Sequence, residues 1–197
     1  MLNKFVKNKD AVVEAKNDYL MAIVKRTDPK FMRLFSPQMD SVMTGLVATH
    51  SKDSLALELA GLWYYSTGRN EKAADYFRKN SQEHPSSLSA CAGYVEFLMY
   101  SQDWEALSQE GQKKFDQFPK EVAFLEMAML GEHNLQHYDK VIDLCDKVLT
   151  LDYADTASVA RAWSTKGDVY YLLGEAKKAY KSYDKALKVK PDDVTVL

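Results

Sequence analysis

Residues 160–193 read ARAWSTKGDVYYLLGEAKKAYKSYDKALKVKPDD, and Trp163, Gly167, Tyr170, Gly174, Ala179, Tyr183, Ala186 and Pro191 fall at the spacing W-x3-G-x2-Y-x3-G-x4-A-x3-Y-x2-A-x4-P. Each residue type answers a need of two helices packed antiparallel. Trp163 and Tyr170 lie two turns apart on one face of a first helix. Gly167, between them, has no side chain to hold a second helix away. Gly174 ends the first helix, because glycine readily takes the left-handed conformation that helix C-termini use. Ala179, Tyr183 and Ala186 then alternate small and large side chains down the inner face of the second helix, which Pro191 stops.

This pattern resembles the tetratricopeptide repeat. The resemblance implies an all-α fold, a right-handed α-solenoid of antiparallel helix pairs. One pair cannot bury its own apolar face, so further copies are expected upstream at a period of about 34 residues. Gly61, Tyr64, Gly68, Ala73, Phe77 and Pro85 match the template from Ser54, and Cys91, Tyr94, Leu98, Leu107 and Pro119 match it from Leu88. A weaker unit from Val122 keeps Leu125, Ala128, Val141, Cys145 and Val148, with Tyr153 in the place of the proline and four extra residues before Ala160. The expected organisation is a cap over 1–53, repeats at 54–87, 88–121, 122–159 and 160–193, and the opening of a further repeat at 194–197. Helices are expected near 54–67, 70–83, 88–101, 103–117, 121–134, 137–150, 156–173 and 175–189, the seventh lengthened by a cap at Asp155 or Thr156.

Residues 1–53 do not fit the repeat. Phe5, Val12, Val13, Tyr19, Leu20, Ile23 and Val24 predict one long amphipathic helix from Asn3 to about Arg26, ended by Asp28-Pro29. A second helix is predicted from Ser36 as N-cap and Pro37 as first helical residue to His50, with Met39, Met43, Leu46 and Val47 inward. This two-helix segment reads as a terminal cap. Its alternative use is a sticky face of Phe31, Met32, Phe35, Met39 and Met43 for a partner. At the other end, Val194–Leu197 begins a repeat that the sequence does not complete, which implies either a piece of a longer chain or self-association through an uncapped end.

Composition narrows the functions. Lys plus Arg total 26 against 28 Asp plus Glu, a net charge of −2, so no overall electrostatic footprint for nucleic acid or an anionic membrane is expected. The charged N-terminal segment has neither the apolar core of a signal peptide nor the roughly 20 apolar residues of a membrane span, which makes the cytoplasm the default location. Cys91 and Cys145 stand at packing positions of different repeats and are expected to be buried, inert thiols.

Function is then a question of surfaces. The resemblance implies that the first helices of the repeats line a concave groove, at Leu55, Glu58, Leu62, Tyr65 and Ser66; Ser89, Ala92, Glu96, Met99 and Tyr100; Ala123, Glu126, Leu130, His133 and Asn134; and Arg161, Ser164, Asp168, Tyr171 and Leu172. Of these, Glu58, Leu62, Tyr65, Glu96, Met99, Tyr100, Glu126, Leu130, His133, Arg161, Ser164, Asp168 and Tyr171 are the candidate partner-binding residues. Four acids stand against Arg161, and the tyrosines offer amphipathic area at low entropic cost. The expected ligand is a basic or neutral peptide or helix. The chaperone-tail clamp known in this family needs Lys, Asn and Arg at positions that here hold Glu58, Leu62, Gly93, Ala123 and Met127, or Ala92, Glu96, Met127, Arg161 and Thr165. Only Arg161 suits a carboxylate tail.

Enzyme chemistry finds no foothold. His133 and His137 are four apart, but HNLQH lacks a zincin glutamate and straddles a predicted turn. His50 and His84 lie at helix ends, where solvated or carbonyl-capping roles are ordinary. No phosphate-cradling glycine loop or GxSxG is present, and no cofactor is expected. The reading is a protein-binding scaffold without catalysis. Its alternatives are a structural spacer or oligomerisation module, or the regulatory arm of an enzyme whose catalytic domain lies elsewhere.

Overall fold

The computed structural model describes residues 2–25 and 28–191, apart from the side chains of 29–33. Its described residues form eleven α-helices and no strand: α1 (Leu2–Lys7), α2 (Val13–Val24), α3 (Pro29–Thr49), α4 (Ser54–Ser66), α5 (Asn70–Glu83), α6 (Leu88–Tyr100), α7 (Trp104–Gln117), α8 (Ala123–Asn134), α9 (Tyr138–Leu149), α10 (Thr156–Leu172) and α11 (Ala176–Val189). They divide within α6, after Phe97, into two compact units. From α4 onward every helix begins and ends within two residues of its expected limits.

The turns inside the helix pairs share one device. Gly68, Gln102, Gln136 and Gly174, spaced 34, 34 and 38 residues apart, all have positive φ, at 72°, 60°, 60° and 74°. At each, two backbone N–H groups fold back on the preceding helix, as in Gly174 to Tyr171 O (2.9 Å) and Glu175 to Tyr170 O (2.8 Å). This pair of hydrogen bonds satisfies carbonyls that a helix end would otherwise leave open. The spacing of 38 carries the four extra residues before Ala160. They let Asp155 cap α10 through Ser158 N (2.6 Å), so α10 is 17 residues long.

In the first unit, α4 is fixed by Asp53, whose carboxylate accepts from Leu55 N (3.0 Å) and Ala56 N (3.2 Å), and by the fully buried Trp63. The Trp63 indole donates to Asp40 Oδ1 of α3 (2.8 Å), and Arg69 Nη2 donates to the same oxygen (2.8 Å), tying α3 to the α4–α5 turn. Gly61 permits α5 to approach, since a Cβ there would stand 2.9 Å from the Phe77 ring.

The segment before α4 differs from expectation. Two helices were expected; three form. The predicted Asn3–Arg26 helix breaks at Asn8–Val12, because the buried Lys16 of α2 reaches back to Asn8 O (2.5 Å) and to His50 Nε2 (2.7 Å) at the end of α3. Pro37 lies inside α3 rather than at its start, the helix beginning at Pro29 instead. Met39 and Met43 are buried, so they are not available to a sticky face; Phe35 is 45% exposed, and the side chains of Phe31 and Met32 lie outside the described residues. The predicted opening of a further repeat at 194–197 also lies outside them.

In the second unit, α7 and α8 approach until backbone meets backbone. A Cβ on Gly111 would lie 2.7 Å from Phe124 O, and one on Gly131 2.7 Å from Trp104 O. Around this crossing, buried Glu132 of α8 accepts from Ser108 Oγ of α7 (2.5 Å) and His137 Nδ1 (2.7 Å), with Lys140 Nζ at 3.4 Å. Burial acts to raise its carboxyl, but those three partners together hold it below the usual value. Tyr153, standing where proline was expected, donates its hydroxyl to Pro119 O, one repeat earlier. Both cysteines are free and buried, and burial pushes the Cys145 thiol up to about 12.

Candidate functional site

The first unit holds four of the expected groove residues. Because Trp63 and Tyr64 of α4 face inward, Glu58, Leu62 and Tyr65 fall on the helix's more open side. Tyr65 meets Phe97 of α6 edge to face, with ring centroids 5.8 Å apart. Glu58 is half-buried, and burial together with the neighbouring Glu96 carboxylate raises its pKa. Among the described residues, neither Glu58 nor Glu96 forms an ion pair with a cation.

The second unit gathers five more into one place. A cleft of about 300 Å³ between α8 and α10 is lined by Glu126, Met129, Leu130, His133, Arg161, Thr165 and Asp168. Arg161 donates from Nε (3.1 Å) and Nη2 (2.8 Å) to a single oxygen, Glu126 Oε1. Asp168 Oδ1 accepts the Tyr183 hydroxyl of α11 (2.7 Å). That bond depends on Gly167: a Cβ there would lie 2.5 Å from the Tyr183 ring, so only glycine lets the ring settle beside α10. Burial, then the Asp168 carboxylate, raise the Tyr183 phenol to about 12.

The remaining candidates are dispersed. In the last turn of α6, Met99 is half-buried and Tyr100 is 62% exposed; Tyr171, at the end of α10, is 69% exposed and does not line the cleft. Ser164 is a correction. It is buried in α10, and its neighbour Thr165 lines the cleft instead, because the wall facing α8 runs through 161, 165 and 168. Met129 and Thr165 were missed because the repeat template samples only a few positions per helix. The sequence pattern places Tyr183 at a packing position only, whereas the structure also puts its hydroxyl on Asp168.

The histidines separate by role. His133 borders the cleft with its ring 6.2 Å from that of Tyr138, whereas His137 turns to Glu132. Among the described residues no group of three or more His, Cys, Asp and Glu side chains is arranged to hold a metal. His84 Nε2 lies 2.6 Å from Lys52 O, a carbonyl between α3 and α4 and not one at the end of its own helix α5. His50 also departs from the expected helix-end role, serving as acceptor for the buried Lys16 ammonium.

Glycine-packed helix pairs and left-handed turn residues at repeat spacing define a helical repeat protein. The tetratricopeptide repeat family model matches residues 160–193. TPR repeat-containing protein MJ1428 of Methanocaldococcus jannaschii is 25% identical over 143 residues, covering 68% of this chain; the chain spans only 24% of that relative's length. Among solved structures, YrrB, described as a TPR protein with an unusual peptide-binding site, superposes with a TM-score of 0.61 at 17% identity, covering 85% of this chain and 87% of its own. A MamA structure gives 0.62 at 17% identity, covering 89% and 92%. A MamA fragment from Desulfovibrio magneticus gives 0.60 at 14%, covering 90% and 97%. Residues 160–193 thus match a tetratricopeptide repeat, and the described residues take the all-helical fold of the tetratricopeptide-repeat structures they resemble. No helix among its described residues is long and apolar enough to cross a membrane.

Proposed function

We propose that the protein is an interaction scaffold that binds a peptide or helix of a partner protein on the inner faces of its first-position helices. The observation that carries this reading is the α8–α10 cleft, where Glu126, Leu130, His133, Arg161 and Asp168 converge. The proposed organisation is a cap over 1–53 followed by repeats at 54–87, 88–121, 122–159 and 160–193. Exposed tyrosines serve as anchors, since they offer large contact area with few rotatable bonds. The acids favour a basic or neutral ligand over an acidic tail. Arg161, the one suitable clamp residue, already has its guanidinium on Glu126, which works against capture of a carboxylate.

The test is affinity capture from native lysate with the parent chain and a Leu130→Ser, His133→Ala variant, identifying retained proteins by mass spectrometry. Leu130 is 36% exposed, so the variant is expected to keep the parent's helical signal. A protein retained by the parent and lost by the variant supports the reading. Equal retention by both removes the cleft from the binding surface.

A further inference from the structure

Resting on that reading, the geometry points to a more specific role for the α8–α10 cleft: we infer that it accepts one lysine side chain of the bound peptide, and that Asp168 is its specificity determinant. Four acids looked equivalent in the sequence. The structure separates them. Glu126 is matched by Arg161, which spends two N–H groups on Oε1, while its Nη2 also reaches Ser158 Oγ (3.2 Å). Glu58 and Glu96 lie in the other unit. Asp168 lines the cleft with no cation paired to it among the described residues, and Tyr183 engages only its Oδ1. Among the cleft's carboxylates, Asp168 is therefore the one without a cation opposite it.

Shape and donor count choose the cation. A volume of about 300 Å³ is the size of the smallest ligand pockets, room for a long side chain rather than for a folded segment. Met129 and Leu130 supply an apolar wall for a methylene stem, and Oδ2 of Asp168 an acceptor for a charged tip. Arginine is at its best on two coplanar oxygens, whereas lysine brings a compact point charge. Here one oxygen of each carboxylate is already engaged, which favours lysine. Tyr183 acts as a positioning residue, since its hydroxyl fixes the rotamer of Asp168 and Gly167 gives its ring room to do so.

The experiment selects peptides from a random library on the immobilised parent chain, then synthesises the enriched sequences N-acetylated, so that the only ammonium comes from a side chain. Each is made with lysine, arginine, norleucine and glutamate at the enriched position and titrated calorimetrically. Lysine is expected to bind about tenfold tighter than norleucine, the worth of one charge-assisted contact, with arginine between them. Asp168→Asn should bring the lysine-to-norleucine ratio to about one, and Tyr183→Phe, which keeps the ring, should lower the ratio while the melting temperature holds. Enriched peptides without a basic position, or a ratio unchanged by Asp168→Asn, overturn the lysine assignment; if Leu130→Ser still abolishes their binding, the groove reading survives. Absence of any enrichment over a blank surface overturns both.

Discussion

Replacing a helical glycine by alanine should have opposite effects at two positions of this protein. At Gly93 in α6 nothing lies within 4 Å of an added Cβ. Gly93→Ala therefore keeps only the gain in helix propensity, about 1 kcal/mol. At Gly111 in α7 the same methyl would stand 2.7 Å from Phe124 O, 3.0 Å from Ala128 N and 3.1 Å from Ala128 Cβ. Two of those atoms are backbone of α8, so relief requires the helices to separate, not a side chain to turn. Overpacking of this kind costs about 1–3 kcal/mol, and the absence of a movable neighbour places Gly111 at the upper end. Subtracting the propensity gain leaves a net loss of about 2 kcal/mol. For a chain of this size that is a fall of roughly 4–8 °C in melting temperature, against a rise of roughly 2–4 °C for Gly93→Ala. Helical circular dichroism during heating and in urea reads the sign. Hydrogen exchange of α7–α8 peptides localises the change, since helical repeats need not unfold in one step. A Gly111→Ala chain as stable as the parent would refute the backbone-contact account of the α7–α8 crossing.

Two further predictions concern the turns and the buried base. Gln102 and Gln136 hold left-handed φ of 60°, a conformation that strains a side-chain-bearing residue, so Gln102→Gly and Gln136→Gly should each stabilise by roughly 1 kcal/mol in urea titrations; a loss at either site would contradict the cap assignment. Burial, then the Lys16 ammonium at 2.7 Å, hold the His50 imidazole below its ordinary 6.5, with Asp53 opposing. A base with a depressed folded pKa contributes stability that is full above the unfolded value and lost as the pH falls below it. The urea midpoint of the first unit should accordingly drop between about pH 7.5 and 5.5, and His50→Gln should flatten that slope. An unchanged slope in the variant would assign the pH dependence to other groups.

The sequence by itself determined the elements that follow a period. The W-G-Y-G-A-Y-A-P spacing of 160–193 located the helix pair. Its upstream echoes located six more helices, because helix faces and glycine or proline stops are local properties written at fixed intervals. It also named five of the seven cleft residues, since Glu126, Leu130 and His133 fall on one face of α8 and Arg161 and Asp168 on one face of α10. Tertiary structure decided the rest. A helix break at Asn8–Val12 accompanies Lys16 reaching back to Asn8 and across to His50, 34 residues on, a contact that no hydrophobic period encodes. Likewise the left-handed turns at Gln102 and Gln136 carry no glycine to announce them; the helix pairs on either side impose them. The contact that makes Gly111 and Gly131 indispensable is backbone against backbone across two helices, invisible without the crossing geometry. Most of all, the four acids differ only in who stands opposite them: Arg161 beside Glu126, Glu96 beside Glu58, and the Tyr183 hydroxyl beside Asp168. Charge is written in the sequence, but whether a charge is matched is a property of distance, and distance belongs to the fold.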